Sequence, residues 1–171
     1  MHPVGTRGFR ASIVARARFT EDLVGEQVVA GVDQYAILGA GFDTLAERRA
    51  DLGARLRVFE VDQPATLAWK RRRLIESVGV PEWLKMVPVD FERERAGGTV
   101  WLRRASIPAA PPVVASTGVT MYLTKEATAA TLRRLAALAP GSTLAMTYLL
   151  PAELIDEADR PGPTGLLGAS R

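Results

Sequence analysis

Apolar positions at Ile13, Val14, Leu23, Val24 and Val28 predict a helix over Phe9–Ala30. The pattern then changes to a short unbroken apolar run, Tyr35–Leu38, which enters Gly39-Ala40-Gly41. Such a run reads as a buried strand feeding a glycine turn. Asp43–Leu52 follows as a helix, with Gly53 as its stop. Leu56–Val61 is a second strand ending at Asp62, and Pro64 opens a helix that runs to Ser77, with Gly79 beyond it. Leu84–Val89 is a third strand ending at Asp90. Between 97 and 106 the pattern is weak, and Val100, Trp101 and Leu102 suit a short helix. Pro111 and Pro112 lead into a fourth strand, Val113–Ala115. Thr124–Leu138 is an amphipathic helix with Thr124 as N-cap and Glu126 in the first turn, ended by Pro140-Gly141. Ser142–Leu150 is a fifth strand closed by Pro151; Pro151–Ala158 suits a last short helix, and Arg160-Pro161-Gly162-Pro163 is punctuated like a loop.

Strands alternating with helices of this length imply parallel βαβ units, and right-handed crossovers wind them into an α/β, doubly wound, mostly parallel sheet. The expected organisation is a helical segment over 1–30, a βαβ core over 34–150 and a tail over 151–171. No capping strand follows the fifth, so the sheet is expected to lack its final strands. Its apolar edge at Ser142–Leu150 is then expected to drive self-association.

Composition narrows the chemistry. At 171 residues, with 47% hydrophobic and 24% charged positions, the chain has room for one domain with a core. It has no Cys and one His, His2, which removes disulfides, thiolate metal sites, His-based triads and multi-His zinc sites; no metal is expected. The net charge is +3, carried almost entirely by Arg. The densest basic run, Lys70-Arg71-Arg72-Arg73, lies in a helical pattern with no interleaved aromatic beyond Trp69, and reads as a solvated helix face rather than a nucleic-acid surface. No apolar stretch is long enough to span a membrane, and the first residues lack the apolar core of a secretory signal, so a cytoplasmic protein is expected.

Ligands of wound sheets bind outside the carboxyl ends of the strands, and three of those ends are polar here. At the first, Gly39 and Gly41 permit close backbone approach and a tight turn. A nicotinamide dinucleotide site would want a third small residue where Thr44 stands, and a pyrophosphate where Asp43 places a negative charge. A cofactor without phosphate fits better; a plain tight turn is the alternative. At the second, Asp62 is placed to accept from ribose hydroxyls, with Glu60 on the same side one step deeper; a helix cap is the alternative. At the third, Asp90 can accept from an adenine amino group, with Phe91 against the ring; a turn-capping Asp is the alternative.

In order and spacing, four segments resemble the leucine carboxyl methyltransferase family, and most of all its bacterial branch. They are Ile37–Thr44 (ILGAGFDT), Val58–Pro64 (VFEVDQP), Val87–Phe91 (VPVDF) and Gly118–Thr124 (GVTMYLT). The resemblance covers essentially the whole chain. It implies a Rossmann-like class I methyltransferase fold and S-adenosyl-L-methionine as cofactor. It implies that Gly39, Ala40 and Gly41 form the loop at the cofactor's methionine end, that Asp62 is the ribose acid, and that Asp90 and Phe91 are the adenine pair. It also implies that Arg16 pairs with the cofactor's carboxylate, a task suited to a guanidinium fork; Arg18 is the fallback, and a solvated helix arginine the alternative for either. Many family members carry Glu where this chain has Thr117, and family members are much longer, so a C-terminally truncated relative is expected.

The implied reaction is O-methyl transfer to a carboxyl or hydroxyl of an unidentified small molecule or protein. A carboxylate acceptor needs no general base, because it is ionised at neutral pH. No catalytic residue is assigned: Tyr122 follows the fourth strand, but a packed core tyrosine is the expected role. The rivals are a truncated, non-catalytic cofactor-binding domain and a nicotinamide-dependent oxidoreductase.

Overall fold

A computed structural model of the chain describes residues 7–93 and 110–154. Five strands form one parallel sheet: β1 (Gln34–Leu38), β2 (Arg57–Asp62), β3 (Leu84–Pro88), β4 (Val113–Ser116) and β5 (Thr143–Met146). Four helices accompany them among the described residues: α1 (Arg7–Val29), α2 (Leu45–Arg48), α3 (Pro64–Ser77) and α4 (Lys125–Leu135). The spatial order is β3-β2-β1-β4-β5. The chain therefore steps outward from β1 to β3, returns to the other flank of β1, and steps outward again. The direction of winding reverses between β1 and β4.

β1 is buried at every position, as a central parallel strand covered on both faces must be. Its side chains alternate between two cores. Tyr35 and Ile37 join Val58 and Val113 against Val24 and Val28 of α1, Leu45 of α2 and Leu74 of α3. Ala36 and Leu38 join Phe59, Val61, Val87 and Val114 on the opposite face, with Leu135 of α4. The two cores make the sheet doubly wound, as the alternation of strands and helices predicts.

Several elements are shorter than their sequence pattern, α4 among them, which ends at Leu135 rather than Leu138. α2 was expected over Asp43–Leu52, but the helix begins at Leu45, because the Asp43 carboxylate accepts its amide (2.8 Å). It breaks at Arg49 (φ −110°, ψ 51°), and a single 3-10 turn, Ala50–Leu52, follows. β5 stops at Met146 although apolar residues continue to Leu150. Its partner β4 has only four residues to pair, from Val113↔Thr143 to Ser116↔Met146. β3 ends at Pro88, which has no amide to donate. Of the proposed last helix, Ala152–Leu154 forms one 3-10 turn; the rest of it, the segment 97–106 and the loop-like 160–163 lie outside the described residues. Among the described residues no helix is long and apolar enough to cross a membrane.

The start of α4 matches the sequence reading. The Thr124 hydroxyl accepts from the Ala127 amide (3.2 Å), while Glu92, just after β3, accepts the Thr124 amide (2.7 Å). Thr124→Ala removes the cap and is expected to lower unfolding free energy by about 1 kcal/mol. Urea denaturation should show this as a lower midpoint with an unchanged slope.

Candidate functional site

Reversal of strand order leaves a crevice at the carboxyl ends of β1 and β4. The glycine loop lies on its floor. Gly39 has φ +69°, and a Cβ there would stand 2.4 Å from Cγ2 of Val119, in the loop that follows β4. Glycine is thus required twice, for backbone conformation and for space. Gly41 also has positive φ (+50°), but a Cβ there would meet nothing within 4 Å. This stretch of backbone faces open space and can be approached closely. Ala40 is buried and packs into the first core, so only its backbone is available to a ligand.

Asp62 sits at the end of β2, beside this loop. Its carboxylate accepts the Gly41 amide on Oδ2 (2.6 Å) and the Gln63 amide on Oδ1 (2.6 Å). Each oxygen keeps a lone pair for a further donor. Asp62 therefore anchors the loop as well as presenting a strand-end acceptor, a combination that the sequence alternatives of ribose acid or helix cap kept apart.

The end of β3 lies alongside, since Val89 donates to the Asp62 carbonyl (2.8 Å). Asp90 caps its own turn, accepting the Glu92 and Arg93 amides (3.0 and 3.2 Å). Partial burial pushes its carboxyl up, but those amides and the Gln63 side chain outweigh this and hold it below the usual carboxylate range. Phe91, the expected partner of Asp90, is packed into the second core with Val87, Val89 and Leu135, 6% exposed.

Arg16 reaches the crevice from α1. A Cβ on Gly118 would lie 2.7 Å from its Nη2, so the guanidinium rests on the backbone after β4, at a residue with φ +72°. Arg18 points outward, paired with Asp22 (2.8 Å) and 76% exposed. Of the two, Arg16 is the one that lies beside the loop after β4. α1 is held down by Val24 and Val28 in the core and by Glu21, which pairs with Arg48 (2.8 Å) and Arg49 (3.2 Å). The Arg48 hydrogen bond, assisted by Arg49, keeps the Glu21 carboxyl below its usual range despite burial.

Between α1 and the glycine loop is a polar cavity of about 60 Å³, lined in part by Thr20, Tyr35, Asp43, Arg48 and Thr117. Thr117 thus faces the space beside the loop. Burial, together with nearby Asp43 and Glu21, pushes the Tyr35 hydroxyl far above its usual range, so it stays protonated.

Two sequence readings are overturned. Tyr122 is not a packed core residue: it is 79% exposed on the 3-10 turn Thr120–Tyr122, in the connection from β4 to α4. Lys70 is not part of a solvated face: it is 4% exposed, whereas Arg71, Arg72 and Arg73 are exposed. Its ammonium meets Glu60 Oε1 (2.6 Å), the Asp43 carbonyl and, at longer range, Glu47 Oε1 (3.8 Å). Glu60 is fully buried on β2. The available signal was spacing: Glu60 and Lys70 are ten residues apart across a strand and the helix that returns over it.

The leucine carboxyl methyltransferase family model matches residues 2–136. Among curated relatives, the Bacillus subtilis protein "Putative S-adenosyl-L-methionine-dependent methyltransferase YktD" is 33% identical over 79% of this chain and 44% of its own length. A Frankia alni protein named in the same way is 36% identical over 80% of this chain and 47% of its own. The chain spans less than half the length of these two relatives. Among solved structures, a DUF574 family protein from Streptomyces avermitilis superposes with TM-score 0.58 at 23% identity, covering 80% of this chain and 53% of the other. The glycopeptide N-methyltransferase MtfA, solved with S-adenosyl-L-methionine, superposes with TM-score 0.53 at 17% identity, covering 80% and 57%. At these identities the likeness is one of fold, that of class I methyltransferases.

Burial pushes the Glu60 carboxyl up to about 7, against the pull of Lys70. A carboxyl raised above its unfolded value stabilises the fold fully below that value, and this contribution is lost as pH rises through the folded value. Unfolding free energy is therefore expected to fall between about pH 4.5 and 7 on account of Glu60. Glu21, shifted the other way, acts at lower pH, where its contribution disappears as pH falls. Denaturant titrations at pH 5 and 7.5 should show a smaller difference for Glu60→Gln than for the wild type; an equal difference would refute the assignment.

Proposed function

The chain belongs to the leucine carboxyl methyltransferase family, and from that premise we propose that it binds S-adenosyl-L-methionine in the crevice between β1 and β4 and serves methyl transfer to an oxygen of a carboxyl or hydroxyl acceptor. The observation that carries the reading is the phase of three strand ends, Gly39/Gly41, Asp62 and Asp90, with Arg16 closing the crevice from α1.

The residues present suit a nucleoside cofactor that lacks phosphate. The open backbone at Gly41 is a cradle that any Cβ would enter. The start of α2, where a dinucleotide would put its pyrophosphate, is taken by the Asp43 carboxylate, and α2 has only four residues. The spare acceptors of Asp62 suit ribose hydroxyls, Asp90 suits the adenine amino group, and the Arg16 guanidinium suits the carboxylate of the amino-acid end. When bound, the cofactor supplies a methyl group activated by attachment to a positively charged sulfur.

What the protein must then do is hold acceptor and methyl close and in line. A carboxylate acceptor arrives ionised and asks for no proton removal. This fits a crevice whose described residues include neither His nor Cys. The acceptor class follows from membership of the family.

Isothermal titration with S-adenosylhomocysteine and with NAD tests the cofactor. Binding of the first and none of the second is expected; the reverse overturns the reading. Arg16→Ala should weaken S-adenosylhomocysteine by about 1.5–3 kcal/mol, the scale of a charged hydrogen bond, and leave adenosine affinity unchanged.

We also propose that the chain self-associates along β5. Among the described residues β5 pairs on one side only, and Leu144, Tyr148, Leu149 and Leu150 are exposed along and beyond it. Light scattering on the 18.5 kDa chain should return a mass above the monomer's, and a stable monomer would count against this edge as an interface.

A further inference from the structure

We infer that Lys70 is a positioning residue for the cofactor, its buried ammonium pinning the Asp43 carbonyl and so fixing the loop Gly39–Asp43 in the shape that receives the ligand. The inference rests on the reading of that loop as the cofactor's seat.

The loop is attached at its start, in its middle and at its end. At its start, Gly39 donates to the Val61 carbonyl (2.7 Å). In its middle, Gly41 donates to Asp62 (2.6 Å). At its end, the Asp43 amide turns back to the Ala40 carbonyl (2.8 Å), the Asp43 carboxylate caps Leu45, and the Asp43 carbonyl accepts from Lys70. The first two tie the loop to β2. The third is the only one among these that ties it to α3, and it requires a cation within the protein.

A lysine is costly to bury, and an ammonium taken out of water needs both a counter-charge and good hydrogen-bond geometry. Glu60, with no exposed surface, supplies the counter-charge at 2.6 Å. A buried ion pair is often no more stabilising than apolar residues of the same volume. What apolar residues cannot do is donate. The ammonium has three protons, and Glu60 takes one direction. Another is directed at the loop backbone. The pair therefore does at this place what a leucine and a methionine could not: it fixes the orientation of a peptide group beside the open face of Gly41.

Two variants of the full chain separate positioning from plain stability. Lys70→Met leaves Glu60 buried without its partner and should lower the melting temperature. Lys70→Met/Glu60→Gln removes both charges and should recover much of that loss. Neither restores an ammonium beside the Asp43 carbonyl. Both are expected to bind S-adenosylhomocysteine at least about tenfold more weakly in calorimetry, the scale of one charge-assisted hydrogen bond. In the ligand-free double variant, amide exchange at Gly41 and Asp43 should accelerate while core strand amides keep their protection. Wild-type affinity and wild-type loop exchange in a stable double variant would make Lys70 a structural residue only. If neither Met variant folds, Lys70→Arg, which keeps the charge but moves the donor, is read by the same two measurements, with unchanged values again refuting the inference. Should the wild type itself fail to bind S-adenosylhomocysteine, the cofactor reading falls, while loop exchange still decides whether Lys70 holds the loop.

Discussion

The close approach of Gly39 to Val119 is the contact on which the carboxyl edge of the sheet depends. β1 and β4 are neighbours in space but far apart in sequence, and the loops leaving them must cross without room for a single side-chain carbon at 39. The loop after β4 is held in turn from β5: the Gly118 amide donates to the Thr147 hydroxyl (2.8 Å), and the Thr120 hydroxyl donates to the Thr147 carbonyl (3.2 Å). Arg16 rests on that same loop at Gly118. The absent Cβ at Gly39 thus lets the loops meet at the switch point, and the absent Cβ at Gly118 leaves room for the guanidinium.

Charge is distributed around this edge by degree of burial. Exposed or half-buried pairs, such as Glu21 with Arg48 and Arg49, bring α1 and α2 together, and in that setting they contribute modestly. The Lys70–Glu60 pair is out of water altogether, so its energetics are dominated by desolvation and its geometry by the few donors and acceptors within reach. Asp43 joins the two regimes. Its carboxylate starts α2, its carbonyl receives Lys70, and its position at the head of α2 leaves no seat there for a phosphate.

Asp62 and Asp90 are alike in how the backbone holds them. Each uses backbone amides to fix its own carboxylate: Asp62 those of Gly41 and Gln63, Asp90 those of Glu92 and Arg93. A carboxylate held in this way has lost its rotamer freedom before a ligand arrives, and preorganisation of that kind reduces the entropy lost on binding. The alternatives weighed from sequence, cap or ligand contact, are compatible for a group with four lone-pair sites.

Periodicity alone located all five strands, the two long helices α1 and α3, and the Thr124 cap, because burial on both faces and helix start chemistry are written in local residue order. Motif spacing put Gly39, Gly41, Asp62 and Asp90 at strand ends for the same reason. Lengths were less legible: β5 is cut to four residues by its partner β4, and α2 is delayed by the side chain of Asp43. The fates of Arg16 and Arg18, of Phe91 and of Lys70 were decided only by the fold. Two arginines two residues apart on a helix look alike in sequence, and only the packing of α1 on β4 turns one of them inward. A lysine beside three arginines reads as solvent-facing by composition. It is buried because α3 returns over β2 with Lys70 above Glu60, where the ammonium meets the desolvated carboxyl.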